Sequence, residues 1–156
     1  MNIKPIETLY KGYRFRSRLE ARWAVFFDAL GIEYQYEPEG YNLGELGWYL
    51  PDFLITTLKE GLKFFVEVKG NFADEAGIKK ARFLDGNCSD DFEGCMIFSK
   101  LEYAEVNYYE IENRIDSKDV VYQVPNFNKA AIKAQILGCS FKDFNKAISK
   151  ARQARF

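Results

Sequence analysis

Leu19, Trp23, Phe26, Phe27 and Leu30 recur at three- and four-residue steps and form one apolar stripe, the pattern of an amphipathic helix. Its start is legible in Ser17-Arg18-Leu19-Glu20, a capping box in which Ser17 can accept from a free backbone N–H and Glu20 can reach back. Gly31 ends it. Helical rotation sets Glu20 beside Phe27 on the border of the stripe, pointing toward the body of the protein, with Arg18 and Arg22 on the opposite flank. Glu20 therefore has two compatible readings, a helix cap and a carboxylate delivered to a site beside a sheet.

Around this helix the period changes to two. Lys11 to Arg16 reads as a turn and a short alternating segment, and Ile32 to Glu37 as a strand stopped by Pro38. Tyr41 to Gly47 reads as a connection. Trp48 to Thr56 predicts a second strand; Pro51 has no backbone donor, so its regular part should follow, with Asp52 near the start. After the polar turn Lys59-Glu60-Gly61 comes Phe64-Phe65-Val66-Glu67-Val68-Lys69-Gly70, a third strand. Glu67 and Lys69 share one of its faces and Phe64, Val66 and Val68 the other. So short a turn predicts an antiparallel hairpin that can set Asp52 beside Glu67. Taken alone, Glu67-x-Lys69 is also the pattern of a surface ion pair on a half-exposed strand.

Farther on, Asp74 to Asp85 predicts a helix, Gly86 to Gly94 a polar loop and Cys95 to Phe98 a short buried strand. Leu101 to Ser117 carries no clear period, and Val120 to Val124 reads as a strand ended by Pro125. Two helices follow, Ala130 to Leu137 stopped by Gly138, and one capped by Ser140 that buries Phe141, Phe144 and Ile148. Lys142, Lys146, Lys150 and Arg152 occupy its other side. The reading is one compact α/β domain, a core over 1–125 with a basic helical extension over 126–156.

Composition narrows the chemistry. The apolar share of 47% predicts a folded globular chain, and no apolar run approaches membrane-spanning length. Met1 to Pro5 lacks the apolar centre of a signal peptide, and three cysteines without metal-type spacing read as free thiols, so a cytoplasmic protein is expected. Histidine is absent, which excludes Ser-His-Asp hydrolases, Cys-His proteases and Cys/His zinc sites. The net charge is only −1, yet basic residues crowd both ends around a more acidic middle. Such a layout suits phosphates gripped around a central metal; solvated helix faces would give it as well.

The predicted order is a helix with Glu20, a strand, a strand with Pro51-Asp52, a strand with Glu67-Val68-Lys69, a helix and a strand. In this order the chain resembles the PD-(D/E)xK nuclease superfamily, over residues 13–99. Phe15 to Ala21, the Tyr36-Glu37-Pro38-Glu39-Gly40 turn and the tail Ala151 to Phe156 also resemble small nuclease-like proteins commonly encoded by bacteriophages. The resemblance implies a restriction-endonuclease-like α-β-β-β-α-β core, with a central mixed sheet flanked by helices. It implies Mg2+, with Mn2+ as a substitute, held by Asp52, Glu67, the Val68 backbone carbonyl and Glu20. Lys69 would orient the attacking water or stabilise charge on the phosphate. Arg16, Arg18 and Arg22 become candidate phosphate contacts, with Lys146, Lys150 and Arg152 of the basic C-terminal helix beside them; Glu37 is a weaker extra.

The implied activity is Mg2+-dependent endonucleolytic hydrolysis of DNA, selective for structure or of low sequence specificity, in phage or bacterial DNA processing. The host cytoplasm is the expected place, and a homodimer would double the contacts. Two alternatives stand beside it: a catalytically silent nuclease fold that binds nucleic acid or protein, and a nuclease subunit of a larger transposition or restriction complex.

Overall fold

A computed structural model describes residues 4–70, 74–113 and 120–156. The chain opens with a hairpin of β1 (Thr8–Tyr10) and β2 (Tyr13–Phe15), turned by Lys11 and Gly12, both at positive φ. Helix α1 (Arg18–Leu30) follows, with Ser17 at its N-cap accepting from the Glu20 amide at 3.1 Å and Gly31 closing it in the left-handed conformation.

The central sheet has four strands, in the order β3 (Glu33–Tyr36), β6 (Phe53–Thr56), β7 (Lys63–Val68) and β8 (Gly94–Phe98). β3–β6 and β6–β7 are antiparallel, whereas β7–β8 is parallel and joined through α2 (Glu75–Asn87). The sheet is therefore mixed, and its strands, with the helices that precede β3 and β8, run in the chain order α1-β3-β6-β7-α2-β8.

The segment expected as one strand over Trp48 to Thr56 is two. β4 (Tyr41–Asn42) pairs with β5 (Trp48–Tyr49) in a separate small ribbon, and β6 starts only after the Pro51-Asp52 break. Pro51 cannot donate to a ladder, so the chain changes sheets there. Tyr41 to Gly47, read as a plain connection, holds β4 and a 3-10 turn over Gly44–Leu46. A long ribbon, β9 (Val106–Asn113) with β10 (Val120–Phe127), stands apart from the central sheet. Pro125 does not end β10; it lies within the ladder opposite Tyr108, tolerable because a two-stranded ribbon has only edge strands. The last part of the Leu101 to Ser117 segment lies outside the described residues.

β7 is one of the two inner strands, and over Phe65 to Val68 it is buried on both faces. Val66 and Val68 join Phe53, Ile55, Phe98 and the α1 stripe in the larger core, whereas Phe65 faces Ala81 and Leu84 of α2 in the smaller one. The C-terminal helices α3 (Lys129–Leu137) and α4 (Phe141–Gln153) belong to the larger core. Phe144 of α4 meets Phe26 of α1 edge to face at 5.0 Å, and Ala147, Ile148 and Ala151 are buried beside it. Phe141 is only partly buried. Among the described residues, no helix is long and apolar enough to cross a membrane.

Candidate functional site

Five polar or charged residues are buried among the described residues, and three of them, Glu20, Asp52 and Glu67, are carboxylates. Burying an ionised carboxylate is costly unless partners compensate it, so their contacts identify the site.

The β6–β7 register ends with Phe53 opposite Val66, and one further step sets Asp52 against Glu67. Asp52 is fixed from both sides: its Oδ2 accepts from the Val68 amide at 2.7 Å, and its Oδ1 meets the Arg16 guanidinium at 2.5 Å. The Asp52 carbonyl accepts from the Glu37 amide at 2.8 Å, while Glu37 holds Arg16 Nε at 2.8 Å from a left-handed backbone at φ 46°. The chain turn after β3 thus clamps both the backbone and the counter-ion of Asp52. Val68 meets Asp52 through its amide N–H.

Glu67 is fixed by Tyr49, whose hydroxyl donates to Oε2 at 2.6 Å, and by Lys69, whose Nζ lies 2.7 Å from Oε1. The second partner of Lys69 is Asp74, the N-cap of α2, at 2.7 Å. Lys69 continues the sheet, its amide donating to the Phe98 carbonyl at 2.8 Å, so a short ladder extension aims its side chain. Gly77 on the first turn of α2 leaves room for it, because a Cβ there would stand 2.5 Å from Lys69 Nζ.

Glu20 combines its two readings. Its Oε1 accepts from the Ser17 hydroxyl at 2.7 Å, whereas Oε2 accepts from the Tyr36 hydroxyl at 2.6 Å and from the Arg16 amide at 3.2 Å. The reach back goes to the amide of Arg16, one residue before the cap. Since Arg16 also holds Asp52, the end of β2 ties the helix carboxylate to the sheet carboxylates.

The electrostatics are unbalanced toward negative charge. Burial, then Glu67 and then Glu20 push the Asp52 carboxyl up to about 7, against the opposing pull of the Val68 amide and Arg16. Burial would lower Lys69, but the hydrogen bonds and charges of Asp74 and Glu67 raise it instead, so it stays an ammonium. The Tyr49 phenol is held up by burial, by Cys95 and by Glu67, which keeps its proton on the donor side.

The expected phosphate contacts divide among three places. Arg16 joins the carboxylates. Arg18, Arg22 and Arg152 line a cleft with Arg155 and Phe156 of the tail. Lys146 and Lys150 border another cleft with Ser140 and Asp143. Tyr36, Tyr49 and Asp74 complete the carboxylate site and were not singled out by sequence reasoning. Asp74 stood at a predicted helix start and carried a cap signal; the tyrosines carried none, since alternating aromatics on strands read as core. Among the described residues, no three Asp, Glu or Cys side chains already form a metal-ligand cluster.

The donor set nonetheless fits a hard divalent cation. It offers carboxylate oxygens only, and burial together with the charges of Glu67 and Glu20 raises the Asp52 carboxyl, which Arg16 offsets in part. No family model, curated protein or solved structure matches this chain.

Proposed function

We propose that the protein is a divalent-metal-dependent nuclease that hydrolyses DNA phosphodiesters, built on a PD-(D/E)xK core. The observation that carries this reading is the meeting of Asp52, Glu67 and Lys69 where β6 begins and β7 ends, with Glu20 entering from α1. The element order α1-β3-β6-β7-α2-β8 supports a restriction-endonuclease-like arrangement.

Asp52 and Glu67 would hold Mg2+, with Glu20 as a further ligand and the Val68 carbonyl beside them. When bound, the ion supplies Lewis acidity toward a phosphate oxygen and a lowered pKa for an attacking water. The residues do the rest. Asp52 is pre-set by the Val68 amide, so little reorganisation is needed at the moment of reaction. Lys69, cationic and anchored by Glu67 and Asp74, is placed to orient water or to offset charge developing on the phosphate. With two carboxylates beside it, its role is that of a positive charge rather than of a base. Tyr49 keeps one Glu67 oxygen engaged and so fixes the rotation of that carboxylate.

The test is a panel of supercoiled, single-stranded and branched DNA incubated with Mg2+ or Mn2+. Cleavage is expected with either ion and is expected to stop with EDTA. Glu67→Ala and Lys69→Ala should each reduce it by at least about 100-fold with the fold unchanged by circular dichroism. Full activity in Glu67→Ala would end this mechanism. Metal-independent DNA binding without turnover on the whole panel would support the silent-fold alternative.

A further inference from the structure

Arg18 and Arg22, one turn apart on α1, line an open cleft of about 670 Å3 together with Arg152 at the end of α4 and Arg155 and Phe156 of the tail. That volume lies within the range of ligand pockets, about 300–1,000 Å3. Among the described residues, none of the four guanidiniums has a carboxylate within ion-pair distance. Arg152 is instead anchored by a neutral acceptor. Its Nε donates to the Leu101 carbonyl at 2.7 Å, Nη2 donates to the same oxygen, and the guanidinium lies 4.4 Å from the centre of the Tyr103 ring. Arg22 Nε is buried and has no hydrogen-bond partner, the single such side-chain atom among the described residues. A buried charged donor left unmet is costly, and four like charges on one cleft repel. An anion from outside would relieve the repulsion.

The choice of arginine points to phosphate, whose oxygens its planar fork matches in pairs. The neighbouring surface points to unpaired bases. A second cleft of about 400 Å3 shares Arg18 and Phe156 with the first, and makes one trough of the two. Its rim is apolar: Ile6, Leu9 and Phe156 are 54%, 65% and 45% exposed. Glu7 on that rim is already paired with Arg14 at 3.4 Å. Phe156 is steadied by an edge-on contact with Tyr10 at 5.9 Å. A duplex would leave this apolar bank idle, because its bases are stacked inside; a single strand would use both banks.

We propose that this trough binds one unpaired strand of nucleic acid, with phosphates on Arg18, Arg22, Arg152 and Arg155 and bases against Phe156 and Leu9. As a substrate-holding surface it rests on the nuclease reading; as a binding site it is separable from catalysis. The experiment is fluorescence anisotropy with an internally labelled oligonucleotide, single-stranded or duplex, in EDTA so that nothing is cleaved. Arg18 and Arg155 are exposed, so Arg18→Gln with Arg155→Gln leaves the fold intact. The pair should weaken single-strand binding at least about tenfold, and flatten the log–log salt dependence by about 1.4 for two lost phosphate contacts. Phe156→Ala should cost about tenfold on the single strand and leave the duplex unchanged. A charge-matched control at the β6–β7 turn, Lys59→Gln with Lys63→Gln, should change binding by less than about twofold.

An arginine pair that behaves like the lysine control overturns the proposal. So does equal affinity of the wild type for single strand and duplex, or displacement of the strand by tripolyphosphate or polyglutamate at equal concentration of charge. The nuclease reading fails separately: strand binding in EDTA with no cleavage of any DNA under Mg2+ would remove the catalysis and keep the trough. Cleavage with KM unaltered in the arginine pair would do the reverse.

Discussion

The two charged regions of this protein are built on opposite terms. At the ends of β6 and β7 each buried carboxylate has a partner from the fold: Val68 and Arg16 for Asp52, Tyr49 and Lys69 for Glu67, and Ser17 and Tyr36 for Glu20. In the cleft under the tail, four guanidiniums gather with no ion pair among the described residues, and one of them keeps a buried donor unmet. The first region supplies hydrogen-bond partners of its own and is pre-organised, with a remainder left uncompensated at Asp52; the second leaves its compensation to a ligand. Substitutions should therefore act on both stability and chemistry at the carboxylates, and on binding alone at the exposed, unanchored arginines Arg18 and Arg155. Arg18→Gln with Arg155→Gln should stay within about 0.5 kcal/mol of wild-type stability.

The largest departure should come from Asp52→Asn. Cleavage should fall at least about 100-fold, because a carboxylate that would hold the metal is lost. The metal-free protein should move the other way. The Asp52 carboxyl is pushed up to about 7 by burial and by Glu67 and Glu20, above the ordinary value of 3.8 that the unfolded chain approximates. Between these values the folded state binds one proton more than the unfolded state. This group's contribution to stability is thus greatest below about pH 4 and is lost as pH rises toward 7. Asparagine has no such titration. In EDTA, the stability advantage of the variant should grow from pH 4 to 7 and level off above. A parallel pair of stability–pH curves would show that the fold compensates Asp52 in full and would overturn the raised carboxyl.

Arg16 tests the same contrast from the cation side. Arg16→Gln removes the partner of Asp52 Oδ1 and of Glu37, and should destabilise the metal-free protein by about 1–2 kcal/mol. That is less than for a fully buried pair, because Arg16 itself is largely exposed and water screens it. Added Mg2+ should restore most of the loss in thermal unfolding, since the cation would neutralise the same carboxylates. Equal losses with and without Mg2+ would separate Arg16 from the metal question.

Much of this architecture was legible because local chemistry decided it. Ser17, Gly31, Asp74, Gly138 and Ser140 stand at helix ends, where capping acts over a few residues. The antiparallel β6–β7 pairing followed from the turn at Glu60 and Gly61, both at positive φ. Long-range geometry was less legible. Pro51 signalled a strand boundary, but only the sheet topology shows that β5 leaves with β4, which brings Tyr49 to Glu67. Periodicity placed Arg18 and Arg22 on one flank of α1 and Arg152 on the polar side of α4; it could not reveal that the two helices pack so that these faces meet. Pro125 misled because a proline breaks a central strand but not an edge.

Gly77→Ala offers the finest division between stability and site geometry. Alanine in a helix is worth about 1 kcal/mol over glycine, and no positive φ demands glycine here. A Cβ at this position would stand 2.5 Å from Lys69 Nζ and 2.6 Å from Asp74 Oδ2, so the lysine tip must shift. The tip is flexible and can yield at small cost to the fold. It would lose its Asp74 contact while Glu67 still holds it. Thermal unfolding should therefore show a stability equal to or above wild type, and cleavage should fall about tenfold through kcat, with KM retained. Loss of stability together with activity would mean that α2 cannot accommodate the methyl group. Unchanged kcat would mean that the Asp74 contact does not position Lys69 for catalysis, and that Glu67 alone sets the ammonium in place.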